Sequence, residues 1–477
     1  MKRIAFLSLA LLFGVFLSCR EVKENEVEEI KIENTDINKF AHSVYQNMDS
    51  TIGFAKIQLN QIMNDGQLNG DAIATSGHPL AGIIKGYYDM IFAAVNIESP
   101  IYIVAKDIDL KKGQLTEGVA ILEIADESKF KTVIKDFAEV KNEGNLNHAS
   151  LKNAHLVWQK NIAIVGFSNT NDGKDLVTSA FKNGAKLEES DILKDKELKN
   201  DDIFLILEAK KLLVNAASAI DNEKQELVKK AVNQLAVDAE NSHIEASINF
   251  NNGEVNIHSK THSSETLAPL LDILKNSNTN DLANGINSQN SVGNLLVNLD
   301  VNKLAKNYAA YIIDNKLSDE TTSQQLNGLS QYLTGEIAIN MDNIENDKAQ
   351  LAVAYGKKGS GFYDLLLMQV KGSDLLIQDK RNVIYLGKNK NFTSSEVEGN
   401  EELLNNGITG RFDISKLNKE DLDGIQTAIA SQLAIVEVKG NLFEMDVTIK
   451  SVNPNENILT SILQTLKANV NPNELPM

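Results

Sequence analysis

Cys19 is the residue whose chemistry is clearest from the sequence alone. It is the only cysteine in a chain of 477 residues, and it follows an apolar run from Ile4 to Leu17 that begins directly behind Lys2 and Arg3. A charged start, a short apolar stretch and a small residue such as Ser18 before the cut are typical of a secretory signal peptide. We therefore predict that residues 1–18 are removed by cleavage between Ser18 and Cys19.

The segment Phe16-Leu17-Ser18-Cys19 resembles the lipobox of bacterial lipoproteins. The resemblance implies that the Cys19 sulfur forms a thioether to diacylglycerol and that two or three acyl chains, such as palmitate, anchor the protein in a membrane. Each buried methylene contributes about 0.8 kcal/mol, and two chains give stable anchoring. The alternatives are cleavage elsewhere by the ordinary signal peptidase, an N-terminal core helix and a membrane-spanning helix, although spanning needs about 20 apolar residues.

Residues 19–42 are predicted to form the lipidated N-terminus and an acidic tether. This composition is typical of a solvated spacer. Glu21, Glu24 and Glu26 also resemble the surface-export signal of Bacteroidota lipoproteins, which implies display on the cell surface. The sequence leaves open whether the protein faces the periplasm or the outside of an outer membrane. Acidic side chains dominate the segment, and it contains neither Gly nor Pro between residues 20 and 36: Glu21, Glu24, Glu26, Glu28, Glu29, Glu33 and Asp36.

His258 and His262 are the histidine pair with the most suggestive spacing for a metal site. On a strand, residues four apart face the same side, but Lys260 would lie between them on that side. A cation between two ligands disfavours a bound metal ion. We therefore predict no metal site here.

Two further segments resemble known binding loops without meeting their requirements. If Gly173 is placed at the sixth position of a calcium loop, Ser179 occupies the twelfth position, where a glutamate is needed, so a helix N-terminus explains residues 169–175 better. The glycine-rich segment 356–361 lacks the Lys-Ser/Thr ending of a phosphate-binding loop. The sequence therefore predicts no catalytic residue, no metal and no cofactor.

Ser50 is a candidate for covalent modification. Asp49-Ser50-Thr51 resembles the three-residue O-glycosylation acceptor of Bacteroidota, with Ser50 as the residue that receives the sugar. The resemblance implies an accessible position for this side chain.

Composition limits the partners of the protein. Lys and Arg number 47 against 65 Asp and Glu, which gives a formal net charge of −18. Because nucleic-acid binding relies on clustered cations that neutralise phosphates, we predict no nucleic-acid partner. Glycan capture usually uses exposed aromatic rings, and the single tryptophan, Trp158, alternates within a predicted hairpin. We therefore expect Trp158 in the core.

The second half of the chain repeats the first half in the same order. Some of the corresponding segments are strands that run into helices, and others are hairpins with polar turns. The spacing between the copies decreases steadily along the chain, as a duplication with shorter loops in the second copy would produce. Four pairs correspond: 57–62 with 299–304, 156–166 with 376–387, 207–212 with 412–417, and 267–275 with 459–467.

These patterns predict an α+β fold with two similar domains that arose by internal duplication. Strands that alternate polar and apolar residues favour antiparallel sheets and hairpins, with one face covered by amphipathic helices and the other face solvated. We place the first domain at residues 43–276, an Asn- and Ser-rich connector at 277–290 and the second domain at 291–477.

The lipobox, the acidic tether and strand exits such as Asp413 to Leu417 together resemble uncharacterised putative lipoproteins of Bacteroidota. The resemblance implies an envelope location and supplies no mechanism. We favour a non-catalytic protein that is anchored to the membrane and binds or scaffolds a partner, which could be an envelope protein, a glycan or a lipid. The alternatives are an extracytoplasmic hydrolase whose carboxylates meet only in the fold, and a lipid carrier.

Overall fold

The computed structural model describes most of the chain after residue 31. The described residues are 32, 35–67, 81–109, 114–151, 154–168, 173–188, 190, 193, 201–218, 226–287, 291–317, 324, 327–328, 330–342, 349–355, 362–371, 375–380, 382–387, 396–397, 401–417 and 424–469. The predicted signal peptide and most of the predicted tether lie outside these ranges. Residues 37–42, which the prediction assigned to the tether, instead lie in a helix whose apolar residues, such as Phe40, are part of the core. None of the helices in the described ranges is long and apolar enough to cross a membrane.

Two compact units divide the chain. Unit 1 comprises Met1–Gln225 and His243–Ser247, and unit 2 comprises Glu226–Ser242 and Ile248–Met477. The segment predicted as a connector, 277–290, contains a short helix at Asp281–Ile286.

The first half contains both helices and strands, in runs of one to four elements of a kind. They are α1 (Ile37–Asn47), β1 (Gly53–Ile57), α2 (Leu59–Asp65), α3 (Ala81–Ala94), β2 (Ile101–Asp109), β3 (Gln114–Glu123), α4 (Glu127–Lys135), β4 (Val140–Glu143), β5 (Leu146–Leu151), β6 (Ala154–Gln159), β7 (Ile162–Ser168), α5 (Gly173–Gly184), β8 (Ile203–Glu208), α6 (Ala209–Ser218), α7 (Glu226–Asp238), β9 (His243–Asn251) and β10 (Glu254–His262).

The second half also contains both helices and strands. Its elements are α8 (Ala268–Leu271), α9 (Asp281–Ile286), β11 (Ser291–Asn298), α10 (Val301–Asp314), β12 (Leu333–Asp342), β13 (Ala349–Tyr355), α11 (Phe362–Val370), β14 (Leu376–Lys380), β15 (Val383–Gly387), β16 (Ile408–Asp413), a 3-10 turn (Ile414–Lys416), α12 (Gly424–Gln432), β17 (Leu433–Gly440), β18 (Glu444–Ser451) and α13 (Ile458–Asn469).

Local sequence explains where several of these elements begin. Asp126 accepts hydrogen bonds from the backbone N–H groups of Ser128 and Lys129 and so caps α4, and Asp300 caps α10 by accepting from the Lys303 N–H at 3.1 Å. An aspartate at this position satisfies donors that have no partner within the helix. The turn between β6 and β7 holds Lys160 at a φ of 53°, in the left-handed region.

Antiparallel pairing joins the strands of each unit. In unit 1 the order is β8–β1–β2–β3–β7–β6–β5–β4. In unit 2 the order is β14–β15–β13–β12–β11–β16–β17–β18–β10. The predicted α+β class with antiparallel strands is therefore confirmed.

The core of unit 1 covers both faces of part of the sheet. On one side, Phe40 of α1 and Phe181 of α5 pack with Ile164 of β7. On the other side, Phe130 of α4 packs with Trp158 of β6. The prediction that one sheet face is solvated is wrong for β6 and β7, because helices cover both of their faces. Trp158 is fully buried, which confirms its predicted place in the core.

Polar side chains of unit 2 form hydrogen bonds and ion pairs across β16, β17, β18 and β10. His258 Nδ1 lies 2.8 Å from Asp446 Oδ1, and both side chains are about half exposed at 48%. Glu437 lies between the cations of Arg411 and Lys450. The exposure of His258 and Asp446 fits the predicted solvated sheet face, whereas Glu437 is only 14% exposed.

Candidate functional site

An open groove on unit 2, which we call the Lys306 groove, is lined by both apolar and basic side chains. Its volume is about 550 Å³, which lies in the range of small-molecule sites. One side is apolar and the other carries two lysines. The lining residues are Ala268, Pro269, Asp272, Lys303, Lys306, Asn307 and Phe443.

Helix α10 positions the polar side of the Lys306 groove. Lys303, Lys306 and Asn307 are spaced three and four residues apart, so they lie on one face of the helix. Ala305 and Ala309 are buried on the opposite face, which fixes the orientation of the helix. The lysine side chains therefore project toward solvent beside the groove.

Two hydrogen bonds join α10 to α8 at the floor of the groove. Asn307 Nδ2 donates to the Pro269 carbonyl oxygen at 2.7 Å, and Lys303 Nζ lies 2.8 Å from Asp272 Oδ2. The hydrogen bond to Asp272 raises the pKa of Lys303, so this amine stays charged. Beneath α8, Leu270 is buried. The floor is therefore held by packing as well as by polar contacts.

Unit 1 carries a separate polar cluster where β4 and β5 meet the start of α5. Lys174 Nζ lies 2.7 Å from Glu143 Oε1, and Glu143 Oε2 lies 4.0 Å from Nε2 of the buried His148. Burial lowers the pKa of His148, so the imidazole is neutral near pH 7. Burial is the largest single influence and acts to raise the pKa of Glu143, but the hydrogen bond from Lys174 and the nearby positive charges together outweigh it, so the pKa is lowered. The result is a carboxylate–ammonium pair beside a neutral histidine.

Ser150 and His155 adjoin this cluster and form a contact between a hydroxyl and an imidazole. Ser150 Oγ lies 3.2 Å from His155 Nδ1, and the two residues are directly opposite each other in the β5–β6 hairpin. Burial, followed by the charge of Lys174, lowers the pKa of His155. A nucleophile and its base also need a third group that orients the base. Among the residues that the structure describes, no carboxylate pairs with His155, so we interpret the contact as cross-strand packing.

Another depression, of about 580 Å³, lies on unit 1 where the N-terminal segment joins the fold. Asn161 Nδ2 donates to the Thr35 carbonyl oxygen at 2.9 Å, and Asn161 Oδ1 accepts from the Thr35 N–H at 3.3 Å. Gln159 Oε1 accepts from the N–H of the buried Ile32 at 3.2 Å. The chain is therefore attached to unit 1 at Ile32 and at Thr35.

The residues singled out from the sequence have different positions. Cys19, Ser18 and the segments 169–172 and 356–361 lie outside the described residues. Ser50 is exposed in the turn between α1 and β1, with a φ of 62°, so its position is accessible, and its glycosylation remains a prediction.

The lining of the Lys306 groove was not found by sequence reasoning. The spacing of Lys303, Lys306 and Asn307 is visible in the sequence and predicts one polar helix face. Nothing in the sequence predicts that Pro269 and Phe443 lie beside that face, because both contacts arise from long-range packing.

Comparisons with known proteins give no family for this chain. No family model matches it, and no curated protein matches it. Solved structures of TP0453 match at low similarity. Crystal form IV has a TM-score of 0.28 and 8% identity over 46% of this chain and 79% of that chain. Crystal form III has a TM-score of 0.25 and 6% identity over 73% and 92%, and crystal form I has a TM-score of 0.26 and 6% identity over 72% and 90%.

Proposed function

We propose that this protein is a lipid-anchored protein of the bacterial cell envelope that binds a partner without catalysis. The anchor is the diacylglyceryl group on Cys19, which follows the signal-peptide pattern of residues 2–18. A stable anchor of two or more acyl chains needs no membrane-spanning helix. The partner is an envelope protein, a glycan or a lipid, and the protein resides at the outer membrane.

The observation that carries the binding role is the Lys306 groove. Its floor is held by the Asn307–Pro269 and Lys303–Asp272 contacts, while the Lys306 side chain is exposed beside an apolar wall. A rigid apolar surface with a few polar groups is the usual composition of a binding site. The contact between Ser150 and His155 lacks an orienting carboxylate among the described residues, so it gives less support to a hydrolase.

The attachment of the N-terminal segment limits the proposed tether, predicted at residues 19–42, to residues 20–31. Ile32 and Thr35 are held to unit 1 by Gln159 and Asn161, so the folded part of the chain begins within about 13 residues of Cys19. An extended chain of that length spans at most about 45 Å. The anchor would therefore hold unit 1 within that distance of the membrane surface.

We also propose that the two halves arose by internal duplication. In the first half β1 pairs with both β2 and β8, and in the second half β11 pairs with both β12 and β16. The hairpins β6–β7 and β14–β15 each adjoin the third strand of their half. Their turns contain Lys160 and Asn382, both with positive φ. These shared pairings support two copies of one supersecondary arrangement.

Membrane fractionation tests the anchor. In the wild-type chain, metabolic labelling with a fatty-acid analogue should mark the protein, and the protein should fractionate with membranes. Cys19→Ser should abolish the label and either release the protein or leave its signal uncleaved. Ser18→Ala keeps a small residue before the cut and serves as the matched control, which should remain labelled. Unchanged labelling of the Cys19→Ser variant would contradict the proposal.

Capture from intact envelopes tests the binding role. The lipidated protein is cross-linked in cells, purified and analysed for associated protein, glycan and lipid. A specific partner that is lost on competition with untagged protein supports the proposal. Turnover of an envelope polymer by the purified protein, with no partner retained, would favour a hydrolase instead.

A further inference from the structure

We propose that the Lys306 groove of unit 2 binds a small organic monoanion with a carboxylate head and an apolar body. This inference rests on the proposed binding function and names the class of ligand. The carboxylate would lie beside Lys306 and Lys303, and the apolar body would lie against Phe443 and Pro269.

The apolar wall of the groove is held in place by its backbone. The Phe443 N–H donates to Asn441 Oδ1 at 2.7 Å, and the Phe443 carbonyl oxygen accepts from the Thr261 N–H at 2.7 Å. Both hydrogen bonds fix the backbone of the turn between β17 and β18, which carries the half-buried Phe443 side chain to the groove. Ala268 and Pro269 of α8 complete the apolar lining. A preformed wall reduces the entropy cost of binding an apolar group.

The charges that line the groove favour an anion. Lys303 is paired with Asp272, whereas Lys306 has no carboxylate within ion-pair distance among the described residues. The Asn307 side chain already has a hydrogen-bond partner, because its Nδ2 donates to the Pro269 carbonyl oxygen. The lining itself contains two lysines and one aspartate, an excess of one positive charge, in a chain whose net charge is −18. Asp300 acts on Lys303 from outside the lining, so Lys306 is the cation that remains for a ligand. This balance attracts anions and disfavours a cation of the same shape.

The same balance favours a carboxylate over a phosphate. One unpaired ammonium neutralises a single negative charge, whereas a phosphate monoester carries about −1.5 to −2 at pH 7. Planar, bidentate recognition of phosphate typically uses arginine, and no arginine lines the groove. A monoanion with an apolar body therefore matches the groove, because its charge pairs with Lys306 and its apolar body contacts Pro269 and Phe443.

Ligand-observed NMR with a matched pair of probes tests this inference. The probes are 3-phenylpropanoate and 3-phenylpropylammonium, which share an apolar body and differ in the charge of the head. They are titrated into the full lipidated chain in a non-ionic detergent, and protein-free detergent micelles serve as the blank. We expect saturable binding of the anion and at least about tenfold weaker binding of the cation.

Variants localise the binding to the groove. Lys306→Gln should weaken binding of the anion by roughly threefold to tenfold, because it removes a charge-assisted contact from an exposed side chain. Lys229→Gln is the matched control, since Lys229 is also an exposed lysine on a helix of unit 2, and it should bind like the wild type. Equal binding of both probes, no saturable binding, or equal effects of the two substitutions would overturn the inference.

The outcome can be separated from that of the proposed function. If the chain is lipidated and captures a partner from envelopes but does not bind 3-phenylpropanoate, the inference about the groove fails and the proposed function stands. If Cys19→Ser leaves lipid labelling unchanged but the groove binds the anion, the anchor fails and the inference stands.

Discussion

Gly293 and Phe412 lie directly opposite each other on β11 and β16, at a separation that no larger residue at position 293 could accept. A Cβ atom on Gly293 would lie 2.6 Å from the Phe412 Cα and 2.3 Å from the Arg411 carbonyl oxygen. Both of these are backbone atoms, so a side-chain rotation cannot relieve the contact. The close approach therefore requires glycine at this position.

Gly293→Ala should destabilise unit 2 by about 1–3 kcal/mol, because the added methyl group must displace β16. Circular dichroism during urea unfolding would measure the change. Gly86→Ala is the matched control, since nothing lies within 4 Å of a Cβ at that helical position. That control should be neutral or stabilising by up to about 1 kcal/mol. Equal stability of the two variants would show that the strands do not approach this closely.

Phe130→Ala should destabilise unit 1 by about 3–5 kcal/mol, because it leaves a cavity in a fully packed core. The Phe130 and Trp158 rings lie 5.5 Å apart in an edge-to-face arrangement with an interplanar angle of 78°. Trp158 is the only tryptophan, so its fluorescence reports the unfolding of this core alone. Val214→Ala removes methyl groups from a side chain that is 46% exposed and should change stability by less than about 0.5 kcal/mol. A small effect of Phe130→Ala would contradict the observed packing.

The stability of unit 1 should fall as the pH drops below about 6.5, and His148 is one cause. Burial lowers the pKa of His148 in the folded chain, so the unfolded chain takes up a proton at a pH where the folded chain does not. Proton uptake by the unfolded state alone favours unfolding. The lowered pKa of His155 acts in the same window, and that of Glu143 adds a loss only at more acidic pH.

Thermal unfolding followed by Trp158 fluorescence measures this pH dependence. His148→Asn removes one titrating group, so the decrease in midpoint from about pH 7.5 to about pH 5.5 should be smaller than in the wild type. His258→Asn alters an exposed histidine of unit 2 and should retain the wild-type decrease. Identical pH profiles for all three proteins would mean that His148 is not held in its neutral form.

Much of the local structure could be predicted from the sequence because short-range patterns specify it. The strand-to-helix exits at Ile57, Glu208 and Asn298 agree with the predicted segments, since alternation ends where helical spacing begins. At Asp413 the prediction is only partly correct, because a 3-10 turn follows the strand and α12 begins at Gly424. The burial of Trp158 followed from its alternating position in a hairpin.

By itself, the sequence determined the fold class, the hairpins and the one cysteine with identifiable chemistry, because each depends on residues close together in the chain. Only the tertiary structure decided which surfaces meet. It packed helices on both faces of β6 and β7, and it placed Phe443 beside Lys306 to form the groove. Such contacts join residues far apart in sequence, and a local pattern carries no information about the distant partner that will cover it.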